Sequence, residues 1–465
     1  MILVIAWLAA VFLLPLSCIA LAETRLDIAK MRAISIAVAS LLLAVTCVPL
    51  VTRAVPAFRI PPPSFVPGTG ALFRLDELSL VLPALAAFLW LFTIIVTPML
   101  VFGVDRIRGT ATSTLFTLAA FLTEHPLVLV LAWAGSVVAM RGSLVTSRSK
   151  MQHATGTYLA VSTVLFTAGA ILLMRPTSRG SPVELAALIL VVAGAVIRKG
   201  IFPAHAWMPA LFEHGRLGPA ILFSSPQVGT YAIAVLVVPR APAELLRVVA
   251  ILSLLTAVYA AAQAVVQRSA RRACAYLFVS QSALVMAGLD CTSHEALTGA
   301  FVLWLSSSIS FAGLGRCLLV LEARRGELDL TRHHGAYEQK PLLAGTFLLL
   351  GLSYSGFPGT LGFVGEELLL GGAVIAFPWL GFLVVASSAL TGIAVLRMYF
   401  SLFAGRSSEP PIALKASEAF GFVAVAAVVV LTGLVPAPLV SSRELASGRI
   451  ITDRETRAIS MSLYH

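Results

Sequence analysis

The stretch RKGIFPAHAWMP, residues 198–209, ends a strongly apolar run with two cations, a histidine and two prolines. A lysine or arginine within a membrane helix costs roughly 2.5–3.5 kcal/mol on insertion scales, so such residues usually line a polar cavity or an ion path. Proline interrupts the helical hydrogen-bond ladder, and irregular backbone at membrane depth is tolerated only against protein or water. The stretch therefore predicts a transporter-type broken helix, with breaks at Pro203 and Pro209.

The composition of the whole chain is that of a membrane protein. Of its 465 residues, 58% are hydrophobic and 12% are charged, and the mean hydropathy is +0.94. Apolar runs of about 20 residues, the length that crosses a hydrocarbon core of about 30 Å, recur from one end to the other. They predict an all-α polytopic membrane protein with about fourteen transmembrane helices in a single domain over residues 1–465.

The charge pattern indicates topology rather than nucleic-acid binding. The net charge of +11 comes from basic residues dispersed over short loops, without a basic helix or an aromatic platform, so no nucleic-acid partner is expected. Loops after odd-numbered helices carry more Lys and Arg than the opposite loops. By the positive-inside rule this predicts a multi-pass inner-membrane protein with both termini in the periplasm.

No cofactor or metal site is expected from the motifs. The five cysteines are scattered without metal-ligand spacing, and the sequence shows no haem, iron–sulfur, flavin or zinc signature. It also lacks a Gly-rich phosphate loop and a recognisable catalytic triad signature. We therefore expect no catalytic centre in this chain.

A second broken helix is predicted by GLSYSGFPGTLGFVGEEL, residues 351–368. Here glycines and Pro358 interrupt an apolar run, and the carboxylates Glu366 and Glu367 follow. The two breaks fall in the seventh and twelfth predicted helices, five helices apart, as two inverted five-helix repeats would place them.

The predicted repeats cover residues 110–238, helices 4–8, and residues 243–403, helices 9–13. Within them, the predicted seventh helix spans residues 183–207 and the predicted twelfth helix spans residues 342–372. The last predicted helix spans residues 419–440.

The two breaks carry groups that can gain and lose a proton. Burial disfavours the charged form of a lysine or a carboxylic acid, whereas an opposite charge nearby favours it, so a cavity that exchanges water for a partner charge can load and unload a proton. Lys199 and Glu366 are the candidate carriers, with His205 and Glu367 as further candidates. Arg198 stays protonated and acts on its neighbours through its field.

Each of these residues also has a purely structural interpretation. Arg198 and Lys199 can extend to the membrane interface, and His205 can satisfy a backbone carbonyl freed by Pro209. Glu366 and Glu367 can cap or solvate the half-helix that follows the second break.

Several other charged residues have simpler expected roles. Asp290 and Glu124 are expected to be loop charges in contact with water. Arg316 lies within an apolar helix, where a carboxylate such as Glu322 or Glu366 could pair with it, although the sequence does not place these residues together.

Five segments resemble, in chain order, motifs of the antiporter-like subunits of respiratory complex I. FPAHAWMP (202–209) is similar to the family's FPLHxWLP, and RRACAYLFVSQ (271–281) is similar to its KRxxAYSxxSQ. The other three segments resemble the family's entry into helix three, its helix-twelve break and a helix-thirteen motif: FRLDELSL (73–80), FPGTLGFVGE (357–366) and LRMY (396–399).

The family comprises the large proton-translocating subunits of complex I and relatives in cation antiporters, membrane-bound hydrogenases and inorganic-carbon uptake systems. The resemblance implies fourteen helices, two inverted five-helix repeats and broken helices seven and twelve. It also implies a proton path that uses a glutamate in helix five, lysines in helices seven and eight, and a lysine or glutamate in helix twelve.

The chain departs from this family pattern in the first repeat. The family's Trp-Glu in helix five reads Trp133-Ala134, so the implied carboxylate is absent. The helix-seven lysine position holds Arg198, with Lys199 one residue later, and the helix-eight lysine aligns near Gln227.

The second repeat departs in helix eleven but keeps its carboxylate. The family's histidine and lysine correspond to serines in LSSSISFAG, residues 305–313, which include Ser310. Glu366 retains the helix-twelve position, with Glu367 beside it.

The leading hypothesis is a proton-conducting subunit of a larger membrane complex of the NADH-quinone oxidoreductase type, with half-channels meeting near Lys199, His205 and Glu366. A second hypothesis is the membrane subunit of an inorganic-carbon uptake system, with a soluble zinc protein as its partner. A third is a scaffold subunit that keeps the fold without translocating protons.

Overall fold

The computed structural model describes residues 2–24, 26–52, 55–66, 68, 70–144, 150–175, 180–376, 378–406 and 413–462. This part of the chain is almost entirely helical. Its β-strands form one antiparallel pair, β1 (Phe58–Ile60) and β2 (Phe73–Leu75), in the segment between the second and third helices, and Ser269 and Asp329 form an isolated bridge.

The helices are numbered in chain order. The first half contains α1 Ile2–Leu21, α2 Ile28–Thr52, α3 Leu82–Val96, α4 Val104–Phe121, α5 Pro126–Leu144, α6 Lys150–Leu173, α7 Pro182–Lys199, α8 Trp207–His214, α9 Leu217–Ser224 and α10 Val228–Ala232. The second half contains α11 Ala243–Val266, α12 Ala270–Asp290, α13 His294–Arg325, α14 Ala336–Gln339, α15 Pro341–Tyr354, α16 Leu361–Ala376, α17 Pro378–Phe403, α18 Ala416–Leu434 and α19 Ala437–Ser462.

Nine helical stretches within the described ranges are long and apolar enough to cross a membrane. Their burial differs according to their place in the fold. The stretches Leu217–Val237 and Ala270–Asp290 are buried throughout, and His294–Arg325 is 94% buried, whereas α1, α2 and α18 bury about a third or less of their residues. The core is therefore formed by α9, α10, α12 and α13, and the polar groups of these helices lie away from lipid.

The first predicted break lies between α7 and α8. Helix α7 ends at Lys199, and Gly200 follows in the left-handed region with φ of 69°, a conformation that only glycine adopts without strain. Residues 200–206, including Pro203, are irregular, and α8 begins at Trp207. Pro209 lies in the first turn of α8, where a helix needs no N–H donor, so the predicted break at Pro209 is not observed.

The second predicted break lies between α15 and α16. Helix α15 ends at Tyr354, α16 begins at Leu361, and Pro358 lies between them. Gly356 and Gly359 have φ values of 72° and 85°, which turn the chain between the two half-helices.

A third interruption, which the sequence reading did not predict, separates α9 from α10. Pro226 removes a backbone donor, and Gln227 adopts a left-handed conformation with φ of 51°. A π-helical turn, Ile233–Val237, follows α10. The interruption turns the side chain of Gln227 into the protein core.

The last predicted helix is shorter than expected. Helix α18 ends at Leu434 and a polar helix, α19, begins at Ala437. Helix α19 packs against α13 and is held by Arg443, which is 1% exposed and donates to the carbonyl oxygens of Glu77 and Leu78.

Candidate functional site

Lys199 lies at the centre of a buried cluster of neutral polar groups. It is 3% exposed, and its Nζ donates to Gln227 Oε1 at 3.1 Å and to the hydroxyl of Thr230. Gln227 in turn donates through Nε2 to Ser307 Oγ of α13 at 3.2 Å. We call these four residues the Lys199 cluster. It contains no carboxylate, so the ammonium group is solvated only by dipoles.

Arg198 points away from this cluster toward α5. Its guanidinium donates to Ser136 Oγ at 2.8 Å and to the carbonyl of Trp133 at 3.4 Å. It also lies over the rings of Trp133 and Phe223, 4.4 and 4.7 Å from their centroids. These cation–π and hydrogen-bond contacts compensate a buried charge next to Ala134, where no carboxylate is available.

Glu366 is the acidic counterpart at the second break. Its Oε1 accepts from Gln281 Nε2 at 3.3 Å, and the same Nε2 donates to the carbonyl of Tyr354 at 2.7 Å. A methyl group added at Gly356 would lie 2.0 Å from Glu366 Oε2, so the carboxylate is folded directly onto the break. We call Gln281, Tyr354, Gly356 and Glu366 the Glu366 cluster.

Helix α13 lies between the two clusters. Ser307 belongs to the Lys199 cluster, and Ser310 donates to Ser353 Oγ at 3.1 Å, one residue before Tyr354 of the Glu366 cluster. Ser306 approaches the start of α16 at Gly362. The serines of α13 therefore place hydroxyl groups between the two clusters, and these hydroxyls do not titrate near neutral pH.

Two predicted site residues face outward. His205 is half-buried and contacts Tyr259, whose hydroxyl lies 3.4 Å from His205 Nε2, and the exposed ring of Phe202. Glu367 is exposed on α16, one residue beyond Glu366. The structure thus brings neither residue to the Lys199 cluster, because successive helical residues diverge by about 100° and the break turns His205 to the surface.

An ion-pair network at one face of the bundle was missed by the sequence reading. Arg74 Nη1 lies 3.3 Å from Asp76 Oδ2 and 3.4 Å from Glu124 Oε2, and Arg449 of α19 lies 3.9 Å from Asp76. Glu124 is therefore paired rather than a solvated loop charge. Burial acts to raise the pKa of Asp76, but Arg74, Ser79 and Arg449 outweigh it and hold the pKa below its usual range.

Two other buried charges differ from expectation. Arg316 is 1% exposed and donates to Thr93 Oγ1, Thr97 Oγ1 and the carbonyl of Gly218, so its contacts are neutral oxygens instead of a carboxylate. Asp290 is 3% exposed at the end of α12 and is not a solvated loop charge. Neither environment has a local sequence signal, because the oxygens around Arg316 come from helices distant in the chain.

No group of three or more His, Cys, Asp or Glu residues in the described ranges is arranged to hold a metal ion. The geometry that is present, a buried amine and a half-buried carboxylate at two breaks between apolar helices, is typical of a polytopic membrane protein of the ion-transporter type.

Comparison with known families agrees with this class. Residues 127–391, more than half of the chain, match the family described as NADH:quinone oxidoreductase/Mrp antiporter, transmembrane. The chain belongs to this family.

Similarity to individual proteins extends over different lengths. Subunit M of the NADH-quinone oxidoreductase of Pseudomonas aeruginosa is 28% identical over 252 residues, which are 52% of this chain and 49% of that subunit. The chain thus matches about half of that curated relative's length.

Solved structures match almost the whole chain. A chain of respiratory complex I from Thermus thermophilus with bound NADH superposes with a TM-score of 0.86 at 22% identity, covering 96% of this chain and 99% of that one. A chain of the Mrp complex from Dietzia sp. DQ12-45-1b gives 0.85 at 19% identity, covering 97% and 98%. At these identities the likeness shows a shared fold.

Proposed function

We propose that this chain conducts protons across a membrane as a subunit of a larger membrane complex of the NADH-quinone oxidoreductase type. The observation that carries the proposal is Lys199, a buried amine held by neutral groups alone at the end of a broken helix. Membership of the family and the likeness to subunit M of NADH-quinone oxidoreductase support it.

The proposed path joins the two titratable groups through the core. A proton held on Lys199 passes through waters hydrogen-bonded to Gln227, Ser307 and Ser310 toward Glu366. The neutral groups orient water and accept or donate hydrogen bonds without holding the proton. Arg198 keeps its charge throughout, so it disfavours a second cation nearby and helps Lys199 release its proton.

The proposed architecture is fourteen transmembrane helices with inverted repeats over residues 110–238 and 243–403. When α7 with α8, α9 with α10 and α15 with α16 are each counted as one crossing, and the short α14 and the polar α19 are left out, fourteen crossings result. The two breaks then lie in crossings seven and twelve. The described helix order supports this count. We further propose an inner-membrane location with both termini in the periplasm, from the distribution of Lys and Arg over the loops.

Partner subunits are proposed to cover the two breaks. Phe202 and Phe357 are 49% and 51% exposed beside irregular backbone, and such backbone is not tolerated against lipid. His205 and Glu367 lie on these outer surfaces, so we place them at contacts with neighbouring membrane subunits instead of on the central path. Structures of complex I and the Mrp complex contain chains of this fold in multi-subunit assemblies.

The test is to purify the complex through a tag on this chain, identify the co-purifying proteins and measure proton uptake in proteoliposomes. We expect membrane partners, and proton uptake that both Lys199→Ala and Glu366→Gln reduce. A soluble zinc protein as the main partner would instead indicate an inorganic-carbon uptake system. An assembled complex in which neither substitution changes proton uptake would leave a scaffold role.

A further inference from the structure

Asp290, at the end of α12, is a buried carboxylate that the path described above does not use. It is 3% exposed, yet neither carboxylate oxygen accepts a hydrogen bond from any group in the described part of the chain. An ionised carboxylate buried without partners is strongly unfavourable. Such groups occur chiefly where a protein needs to bind or release a proton or a ligand.

Helix capping does not explain Asp290. The C-terminal end of a helix exposes carbonyl oxygens and carries negative partial charge, so it repels a carboxylate. The start of the following helix, α13, is already capped by Ser293, whose side chain accepts from the backbone N–H of Ala296. No described backbone group therefore requires the Asp290 side chain.

A cavity of about 340 Å³ leads to Asp290 from one face of the bundle. Glu244 and Arg247 of α11 line it on one side, and Asp290, Cys291 and Thr292 line it on the other. Glu244 and Arg247 are exposed, so the cavity opens to the outside of the chain. It is large enough to hold several water molecules, and charged and hydroxyl side chains in its lining can hydrogen-bond to them.

Asp290 is also electrostatically linked to Lys199. The opposite charges of Asp290 and Lys199 act on each other across the core. The hydrogen bonds of Lys199 go to Gln227 and Thr230, so the amine and this carboxylate are not in direct contact. A proton transfer between them therefore requires intervening water.

We propose that Asp290 is the proton-exchange group between this cavity and Lys199, and so supplies the carboxylate that the Lys199 cluster lacks. This inference rests on the proposed function. In the loading step a water-borne proton forms an O–H bond on the carboxylate. That bond then breaks as an N–H bond forms on neutral Lys199 through water, leaving an Asp290 carboxylate and a Lys199 ammonium.

The first test measures proton uptake by proteoliposomes of the whole complex carrying Asp290→Asn, Asp290→Glu or Glu295→Gln. Glu295 is an exposed carboxylate five residues away that does not line the cavity, and it serves as the matched control. We expect Asp290→Asn to lower the rate about tenfold, since a positioned proton carrier contributes at least this much. Asp290→Glu should restore most of the rate, and Glu295→Gln should leave it unchanged.

The second test measures access to the cavity by thiol labelling and does not rely on proton flux. Cys291 lines the cavity, and burial together with Asp290 raises the pKa of its thiol. In a Cys47→Ser background, the cysteines other than Cys291 are all buried. A membrane-impermeant cationic thiol reagent should therefore label Cys291. The labelling rate, read on this chain by mass spectrometry, should change on Asp290→Asn and stay constant on Glu295→Gln.

The two measurements separate the two proposals. Normal uptake by Asp290→Asn together with loss of uptake in Lys199→Ala would overturn the role of Asp290 and leave conduction intact. Absence of uptake in the wild-type complex would overturn the proposed function, and with it the proton-exchange role of Asp290. A Cys291 that is not labelled would overturn the open cavity. Labelling at the same rate in Asp290→Asn would overturn the presence of the Asp290 charge in that cavity.

Discussion

The breaks at α7–α8 and α15–α16 share their backbone design but differ in where they place charge. Each has a glycine of similar positive φ, Gly200 at 69° and Gly356 at 72°, followed by an exposed Phe-Pro pair. At the first break, the charged group is Lys199, the last residue of the half-helix before the break. At the second break it is Glu366, in the half-helix that follows.

This difference matches the polarity of a helix. The C-terminal end of α7 carries negative partial charge and favours the ammonium of Lys199, whereas the carboxylate of Glu366 folds back toward the start of α16, the positive end. Two similar turns thus stabilise opposite charges in a medium that solvates neither. The pair provides a cation and an anion without a direct ion pair, so each can change its protonation state.

The strongest challenge to this comparison is Lys199→Arg, which keeps the charge and removes the ability to lose a proton. Because a positioned proton carrier contributes about 10²–10⁴-fold, we expect proton uptake by proteoliposomes to fall about 100-fold. Gel filtration of the complex controls for assembly. Wild-type uptake by an assembled Lys199→Arg complex would show that this site needs only a fixed charge.

Replacement of the second charge, Glu366→Gln, should have a smaller effect. The amide keeps a hydrogen bond to Gln281 but cannot exchange a proton, and Glu366 is more exposed than Lys199, so water can substitute in part. We expect a loss of about tenfold in the same assay. A loss as large as that of Lys199→Arg would mean that both breaks are equally indispensable, and no loss would remove Glu366 from the path.

The backbone part of the comparison is tested by Gly356→Ala against Gly359→Ala. Both residues have positive φ, which costs roughly 1–2 kcal/mol for alanine. Only at Gly356 would the new methyl group also collide with Glu366, since no atom lies within 4 Å at Gly359. Thermal unfolding should show the larger destabilisation for Gly356→Ala. Proton uptake should be reduced in Gly356→Ala and unchanged in Gly359→Ala. Equal effects of the two variants would contradict the contact with Glu366.

The smallest effect on conduction is expected at Asp76, which lies outside both breaks. The pKa of Asp76 is lower in the folded protein than in the unfolded chain. Asp76 therefore stabilises the fold at pH values above its unfolded-state pKa of about 3.9, and this stabilisation is lost as the pH falls through its folded-state pKa. Asp76→Asn should lower thermal stability at neutral pH. Below pH about 4, the thermal stability of this variant should fall less steeply with decreasing pH than that of the wild type. Proton uptake per assembled complex should stay at the wild-type level; a large drop would extend the functional region to this face.

Sequence reasoning located both breaks because glycine, proline and a charge within an apolar run are local signals. It preferred Glu366 to Glu367 but did not separate His205 from the central cluster, since which way a side chain faces depends on helix phase and on the neighbours it meets. Asp290 and Glu124 had the appearance of loop charges because the residues that bury them come from elements distant in the chain. Thr230, a polar residue common in helices, had no signal of its own, and Gln281 had one only as the last residue of the family-like segment 271–281.

The sequence by itself determined a membrane protein of many apolar helices with charged breaks near residues 199 and 358, because length, hydropathy and backbone-breaking residues act locally. Only the tertiary structure decided that Arg198 contacts α5 while Lys199 enters the core, that the serines of α13 lie between Lys199 and Glu366, and that Asp290 borders a cavity. The physical reason is that hydrogen bonding and desolvation depend on which groups meet in space, and in a bundle of helices those groups come from distant parts of the chain.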